Sequence, residues 1–161
     1  MAQAVAGTRP DAGYWKATLA GGLAAGAIDI VYAFVHWAHL GPVRILQSIA
    51  AGLLGADAFA GGMATAALGG VLHVAMAIAM AAIFVSAARR SALLRRHLLA
   101  AGLAYGAVIY FGMRLVVIPL SRVPNPVFRF ELSEFLGHLL GVGLLIALAA
   151  RQWAVPRGNI M

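Results

Sequence analysis

The sequence predicts an all-α integral membrane protein: a bundle of four transmembrane helices, with a short interfacial or re-entrant helix between the first two spans. The chain is 63% hydrophobic and only 11% charged, whereas a soluble domain is about 45–50% apolar and about 25% charged. Four apolar runs also reach the roughly 20 residues that a bilayer core requires. Such runs must be helical, because in lipid the backbone can satisfy its polar groups only internally.

These apolar runs define the predicted spans, and each ends at a recognisable signal. The first is closed by Gly41-Pro42, the second by Arg89-Arg90 and the fourth by Arg151, while the third carries Pro119 near its end. The spans cover residues 17–40, 62–88, 97–120 and 132–150. No low-complexity linker divides the chain, so residues 1–161 are predicted to form a single transmembrane domain.

The segment 43–57 predicts a helix on the outer side of the membrane that does not cross it. Its apolar residues recur at helical spacing, with Arg44, Gln47 and Ser48 on the opposite face. The segment is short and interrupted by glycine, which is typical of an interfacial or re-entrant helix rather than a fifth span.

Lysine and arginine predict that both termini are cytoplasmic. Eight of these residues then lie inside and three outside, as the positive-inside rule requires. The inner set is Arg9, Lys16, Arg89, Arg90, Arg95, Arg96, Arg151 and Arg157, and the outer set is Arg44, Arg122 and Arg129. Because the arginines cluster in loops, the net charge of +7 indicates membrane topology and no nucleic-acid partner. The lipid bilayer is the partner that the composition itself predicts.

Ionisable side chains in or beside the spans are the main functional signal. A charge near the bilayer centre is costly, so such residues normally face a protein interior or a water-filled cavity. The predicted polar cluster comprises Asp29, His36, His73, Arg114, Glu131, Glu134 and His138.

Helical spacing and estimated depth suggest how members of this cluster pair. Arg114 is expected to pair with Glu134, and Asp29 with His73. Carboxylates and histidines in series could form a proton path. Alternatively, the charged pair is only structural and the histidines are hydrogen-bonded core groups.

No cofactor is predicted, although two weaker readings involve histidine. His36 and His39 could bind a metal together with Glu134 and His138, and His73 and His138 could hold a haem. The chain contains no cysteine, which excludes thiolate ligands and nucleophiles. It also lacks the HExxH, GxSxG and P-loop motifs. The residues therefore favour a protein that is not an enzyme without deciding the question.

Glycines in small-xxx-small frames predict close helix packing within the spans. The predicted packing positions are Gly22, Gly26, Gly102, Gly106, Gly137 and Gly141. They could serve packing within one chain, or they could form an interface with a second copy or with a larger membrane complex.

One hexad supports a family resemblance. Ser133-Glu134-Phe135-Leu136-Gly137-His138 follows a span containing Leu98–Gly102 and an Ile118-Pro119-Leu120 step, and Leu72-His73-Val74 lies before both. This succession, over residues 70–143, resembles the YagU-like family of bacterial inner-membrane proteins of unknown function. The chain is shorter than that family between the first two spans. The resemblance implies a bacterial inner-membrane location and singles out His73, Glu134 and His138, but it implies no reaction.

Three functions are compatible with these features. The first is a membrane protein with an outward-facing polar cavity that binds or passes a small solute or protons. The second is an accessory or structural subunit that docks to a larger membrane complex through its glycine faces. The third, which the sequence favours least, is a haem- or metal-dependent membrane enzyme.

Overall fold

A computed structural model of the protein describes residues 10–155, and within this range the chain is helical with no β-strand. Five of its helices are long and apolar enough to cross a membrane, by length and composition alone. The six helices are α1 (Ala12–His36), α2 (Pro42–Leu54), α3 (Gly62–Arg90), α4 (Ala92–Arg96), α5 (Leu98–Leu120) and α6 (Leu132–Ala154). Arg9 and Arg157, counted above for topology, lie outside the described residues.

The helix ends differ from the predicted span ends where capping groups decide them. Helix α1 begins at Ala12 rather than near residue 17, because the Asp11 side chain accepts a hydrogen bond from the Tyr14 backbone N–H at 2.8 Å. That bond, and then the Arg89 guanidinium, hold the pKa of the Asp11 carboxyl below its usual value. At the other end α1 stops at His36, and a short 3₁₀ turn leads to Gly41, whose φ of 77° suits glycine.

Helices α1 and α3 are antiparallel neighbours. At one end of the pair, Arg89 Nη2 lies 2.7 Å from Asp11 Oδ2. Further along, a Cβ on Gly22 would lie 2.7 Å from Ile78 Cα, so the two backbones are in close contact. The end of α1 and the start of α3 therefore lie at the same end of the bundle, and the segment between them both leaves and returns there.

The remaining long helices complete an antiparallel bundle. Helix α6 packs against α1 on one side and α5 on the other. Tyr32 and Ser133 share a hydrogen bond of 2.8 Å where α1 ends and α6 begins. We call the end of the bundle that holds Asp11 and Arg89–Arg96 the arginine end. The opposite end, with α2 and the loop at residues 121–131, is the loop end.

Helix α2 packs on the first turns of α3 at the loop end. The two backbones touch where Gly69 meets Leu46. Of the residues predicted to lie opposite the apolar face of this helix, Gln47 is buried, whereas Arg44 and Ser48 are exposed. Gln47 is buried and donates from Nε2 to the Gly62 carbonyl at 3.0 Å, because a polar side chain facing α3 needs a partner. Ser48 lines the cavity described below.

The arginine half of the bundle contains an apolar core. Its buried residues come from α1, α3, α5 and α6, and they include Phe84 of α3 and Leu98 of α5. The other members are Ala17, Ala25, Ala81, Val85, Ala88, Ile109, Val142, Ile146, Ala147 and Ala150. Small alanines dominate this core, so the helices approach closely and leave the polar groups on the loop side of it.

Candidate functional site

A cavity of about 270 Å³ lies between α1, α2, α3, α5 and α6, on the loop side of the apolar core. Five ionisable residues of the predicted polar cluster line it, and they come from four different helices. These residues are Asp29 from α1, His73 from α3, Arg114 from α5, and Glu134 and His138 from α6. The other lining residues are mostly apolar, so the cavity combines a few polar groups with an oily wall, as ligand sites commonly do.

Arg114 and Glu134 form an ion pair through Nη2 and Oε2, as the sequence predicts. Their side chains are 23% and 16% exposed, so both are largely shielded. The Arg114 guanidinium carbon also lies 5.7 Å from the centre of the Tyr110 ring, within cation–π range. Arg114 further borders a second, smaller cavity beneath residues 126–128. Arg114 therefore borders both cavities, whereas Glu134 lines only the larger one.

His138 and Asp29 face each other without touching. His138 Nε2 lies 3.8 Å from Asp29 Oδ1, beyond hydrogen-bond distance. His138 Nδ1 donates to the Glu134 carbonyl oxygen at 2.8 Å, because a carbonyl can only accept. The Nε2 atom is therefore the one that faces Asp29 and the cavity. A proton gained at Nε2 would create a charge pair with the carboxylate.

His73 is not the partner of Asp29, so that predicted pair is wrong. Its Nε2 atom donates instead to the Gly26 carbonyl oxygen, 2.8 Å away on α1. Helices α1 and α3 approach closely here because Gly26 has no side chain, and a Cβ at that position would lie only 2.9 Å from the Ala77 Cβ. His73 is thereby oriented with its Nδ1 atom unused by this bond.

His36 and Glu131 were also predicted to join the cluster, but neither lines the cavity. His36 stacks on Tyr32, with ring centres 5.2 Å apart. Glu131 is the N-cap residue of α6 and accepts a hydrogen bond from Ser133 at 3.0 Å. Its backbone N–H donates to the hydroxyl of Tyr110 at 2.9 Å, which ties the start of α6 to α5. Both residues therefore lie at the rim rather than inside.

Two of the three ionisable residues that α5 and α6 bring to the cavity lie in π-helical turns, which are wider than α-helical ones. Arg114 belongs to a π-helical stretch at Met113–Val117, and His138 begins another at His138–Gly143. Such turns are rare and often occur at functional sites. On α5 the cause is Pro119, which has no N–H and whose ring clashes with the carbonyl four residues earlier.

Glycines bring the helices that carry the site into contact. A Cβ on Gly106 would lie 2.8 Å from Leu139 Cα, and one on Gly102 would lie 2.8 Å from the Gly143 oxygen. Gly22 and Gly26 face α3, and Gly141 faces Ile28. Gly137 is different, since no described heavy atom lies within 4 Å of its Cβ position. Five of the six predicted positions thus contact helices of the same chain.

Residues that sequence reasoning missed also line the cavity: Trp37, Ser48, Met76, Met80 and Met113. The spacing held a signal for two of them, because Met76 and Met80 follow His73 at i+3 and i+7 on one helical face. Apolar residues that recur at this spacing are usually core, which is why they carried no functional prediction.

Within the described residues, no group of three or more histidine, aspartate or glutamate side chains is arranged to hold a metal ion. His36 and His39 instead pack around Trp37, with ring centres 4.9 and 6.0 Å from its own. His73 and His138 each donate one ring N–H to a backbone carbonyl. The haem and metal readings remain predictions.

Comparisons with models of known protein families, with curated proteins and with solved structures found no match. The resemblance to the YagU-like family therefore remains a prediction. Any function must follow from the chemistry of the site itself.

Proposed function

We propose that this protein spans a bacterial inner membrane four times and uses its cavity to bind or pass a small solute or protons, without enzymatic activity. The observation that carries the proposal is the convergence of five ionisable side chains from four apolar helices on one cavity. Ionisable side chains in membrane-spanning helices cost free energy, and they are therefore rare except where they form a functional site. The apolar core on the arginine side would close that cavity toward the cytoplasm.

The antiparallel contacts support four spans rather than five. Since α1 and α3 run in opposite directions, the chain from residue 37 to residue 61 leaves and returns at the loop end. The α-helical part, Pro42–Leu54, is about 20 Å long, shorter than a bilayer core of about 30 Å. The segment reaches 19 residues only with the 3₁₀ turns at Gly55–Ala60, which Gly55, with its φ of 67°, separates from α2. We therefore place α2 at the outer interface or as a re-entrant helix, with both termini in the cytoplasm.

Cysteine labelling tests this topology directly, because the natural chain has no cysteine. We expect Asp57→Cys and Val127→Cys to react with a membrane-impermeant maleimide at the periplasmic face. Ser91→Cys, between α3 and α4, should react only after the membrane is opened. Labelling of Asp57→Cys and Ser91→Cys from the same side would contradict the proposed arrangement.

Within the cavity, the two carboxylates have different roles. Glu134 is held by Arg114 and is the structural partner. Asp29 and His138 are too far apart to form a hydrogen bond, so neither side chain holds the other in place. They are therefore the pair that responds to a proton or a ligand. Arg114, Glu134, His73 and the Tyr110 ring also border this space, so the charge on His138 depends on all of them.

Trp37 provides a readout, because it lines the same cavity. In the double variant Trp15→Phe/Trp153→Phe it is the only one of the chain's three tryptophans that remains. We expect its fluorescence to change between about pH 5 and 8, where histidine gains its charge. Asp29→Asn and His138→Gln should each remove most of that change. The matched controls are Asp57→Asn and His97→Gln, both exposed and outside the cavity.

Passage of protons is measured separately in proteoliposomes that contain a pH-sensitive dye. We expect acid applied to the loop-end side to reach the lumen faster than in protein-free vesicles, and Asp29→Asn to slow it. If Trp37 fluorescence is flat across this pH range and no variant alters flux, the polar groups only hold the helices together.

The alternative function, docking to a larger complex through glycine faces, would have to use other surfaces. Gly22, Gly26, Gly102, Gly106 and Gly141 contact helices of the same chain and are not free to meet a partner. Gly112 and Gly137 face open space. Co-purification of a stoichiometric partner from mildly solubilised membranes, lost on substitution at these two positions, would favour docking.

A further inference from the structure

Three methionines line the cavity, two from α3 and one from α5. Of the four methionines in the described part of the chain, Met76, Met80 and Met113 all line it, and only Met63 lies elsewhere. Methionine often fills irregular gaps in a core, so its presence alone decides nothing. Here, however, the three side chains border open space beside an oriented histidine, and thioether sulfur is a soft metal ligand.

The rise per residue places His73 and Met113 at a similar height, with Met76 about 4–5 Å closer to the arginine end than His73 on α3. Helices α3 and α5 are linked where the Tyr105 hydroxyl donates to the Met80 carbonyl oxygen at 2.9 Å. From that bond each antiparallel helix rises about 11–12 Å toward the loop end, to His73 on α3 and to Met113 on α5. Helical side chains lean toward the N-terminus of their own helix, so those of Met76 and Met113 lean toward each other.

His73 has the orientation that a metal-binding histidine needs. Its Nε2–H donates to the Gly26 carbonyl oxygen, so the imidazole is held and Nδ1 is left with its lone pair. A ligating histidine commonly donates its other ring N–H to a carbonyl in this way, which fixes the tautomer and raises the basicity of the ligand. Gly26 permits the approach because a Cβ there would meet Ala77 at 2.9 Å.

We propose that the cavity binds a soft monovalent metal ion, Cu(I) or its stable analogue Ag(I), through His73 Nδ1 and the sulfurs of Met76 and Met113. This rests on the proposed function, since it names the ligand class for the same cavity. Two thioethers and one neutral imidazole select such an ion over hard cations, which prefer oxygen. Met80 lies about one turn deeper and offers the next sulfur along α3. The nearby Asp29 carboxylate offsets the charge of the ion.

Silver binding to the full-length protein in detergent tests the proposal. With Trp37 as the single tryptophan, we expect added Ag(I) to quench its fluorescence with saturation at one ion per chain. Met76→Leu, Met113→Leu and His73→Gln should each weaken this binding at least tenfold. Leucine and methionine have similar volumes, so the sulfur is removed with little effect on packing. The control Met63→Leu, at a site that is 72% exposed and outside the cavity, should bind as the unmodified protein does.

X-ray absorption spectroscopy of the silver-loaded natural protein tests the same site without any substitution, so it does not depend on whether a variant folds. We expect a first shell of sulfur with one nitrogen, and a shell of only nitrogen and oxygen would overturn the proposal. Non-saturable quenching, or equal affinity in Met76→Leu and Met63→Leu, would also overturn it. The pH response of Trp37 is an independent measurement, so it can persist when silver binding fails. In that case the cavity retains its proposed function and only the ligand class is wrong.

Discussion

Replacing Arg114 by methionine is expected to destabilise the protein by about 3 kcal/mol, the lower end of the range for breaking a buried ion pair. The substitution leaves Glu134 shielded from water and without its partner. The lower end applies because both side chains keep some exposure, 23% and 16%. The Arg114→Met substitution also removes the cation that lies beside the Tyr110 ring. Reversible unfolding in mixed micelles would measure the loss.

The double variant Arg114→Met/Glu134→Gln identifies the cause. With the stranded charge gone, most of the lost stability should return, because replacing both members of a buried pair is far less costly than removing one. Arg129→Met is the matched control, since Arg129 is exposed in the loop between α5 and α6. If Arg114→Met unfolds no more easily than Arg129→Met, the pair does not stabilise the bundle.

Gly106→Ala is expected to have a comparably large effect, about 2–3 kcal/mol, for a steric reason. The new methyl group would meet the His138 carbonyl oxygen and would lie 2.8 Å from Leu139 Cα. Both are backbone atoms, so no side chain can rotate away. The α5–α6 contact would have to open, and the Arg114–Glu134 pair lies across that same interface.

Gly112→Ala provides the control on the same helix. No described heavy atom lies within 4 Å of that Cβ position, so the methyl group enters open space. Alanine is favoured over glycine inside a helix, and we expect a gain of about 0.5–1 kcal/mol. Thermal unfolding of the two variants in one detergent would compare them. Equal midpoints would mean that the backbones of α5 and α6 are not in contact at Gly106.

Much of the candidate site could be predicted from sequence, because the cost of a charge in lipid is a property of each residue and its segment. Asp29, His73, Arg114, Glu134 and His138 are conspicuous for this reason, and all five line the cavity. The Arg114–Glu134 pair was also predictable, since an unpaired guanidinium at that depth is hard to accommodate. His36 and Glu131 lie near helix ends, where the same argument is weaker, and both lie at the rim.

The partner of each histidine could not be predicted. Depth along a helix follows from the rise per residue, but the direction that a side chain faces depends on how the neighbouring helix is rotated and spaced. His73 bonds to Gly26 rather than to Asp29 because α1 and α3 touch at that glycine. The π-helical stretch that begins at His138 was not predicted either, because the hydrophobic pattern does not distinguish a π-helical turn from an α-helical one.

The sequence by itself determined that this chain is helical, that it is apolar enough to cross a membrane several times, and which few residues are too polar for lipid. These are sums over local segments, so no knowledge of neighbours is needed. Only the tertiary structure decided that α2 buries Gln47 against α3, that Asp29 faces His138, and that three methionines line the same cavity as His73. Those outcomes depend on the relative rotation of packed helices, which is set by backbone contacts at glycines such as Gly22 and Gly106.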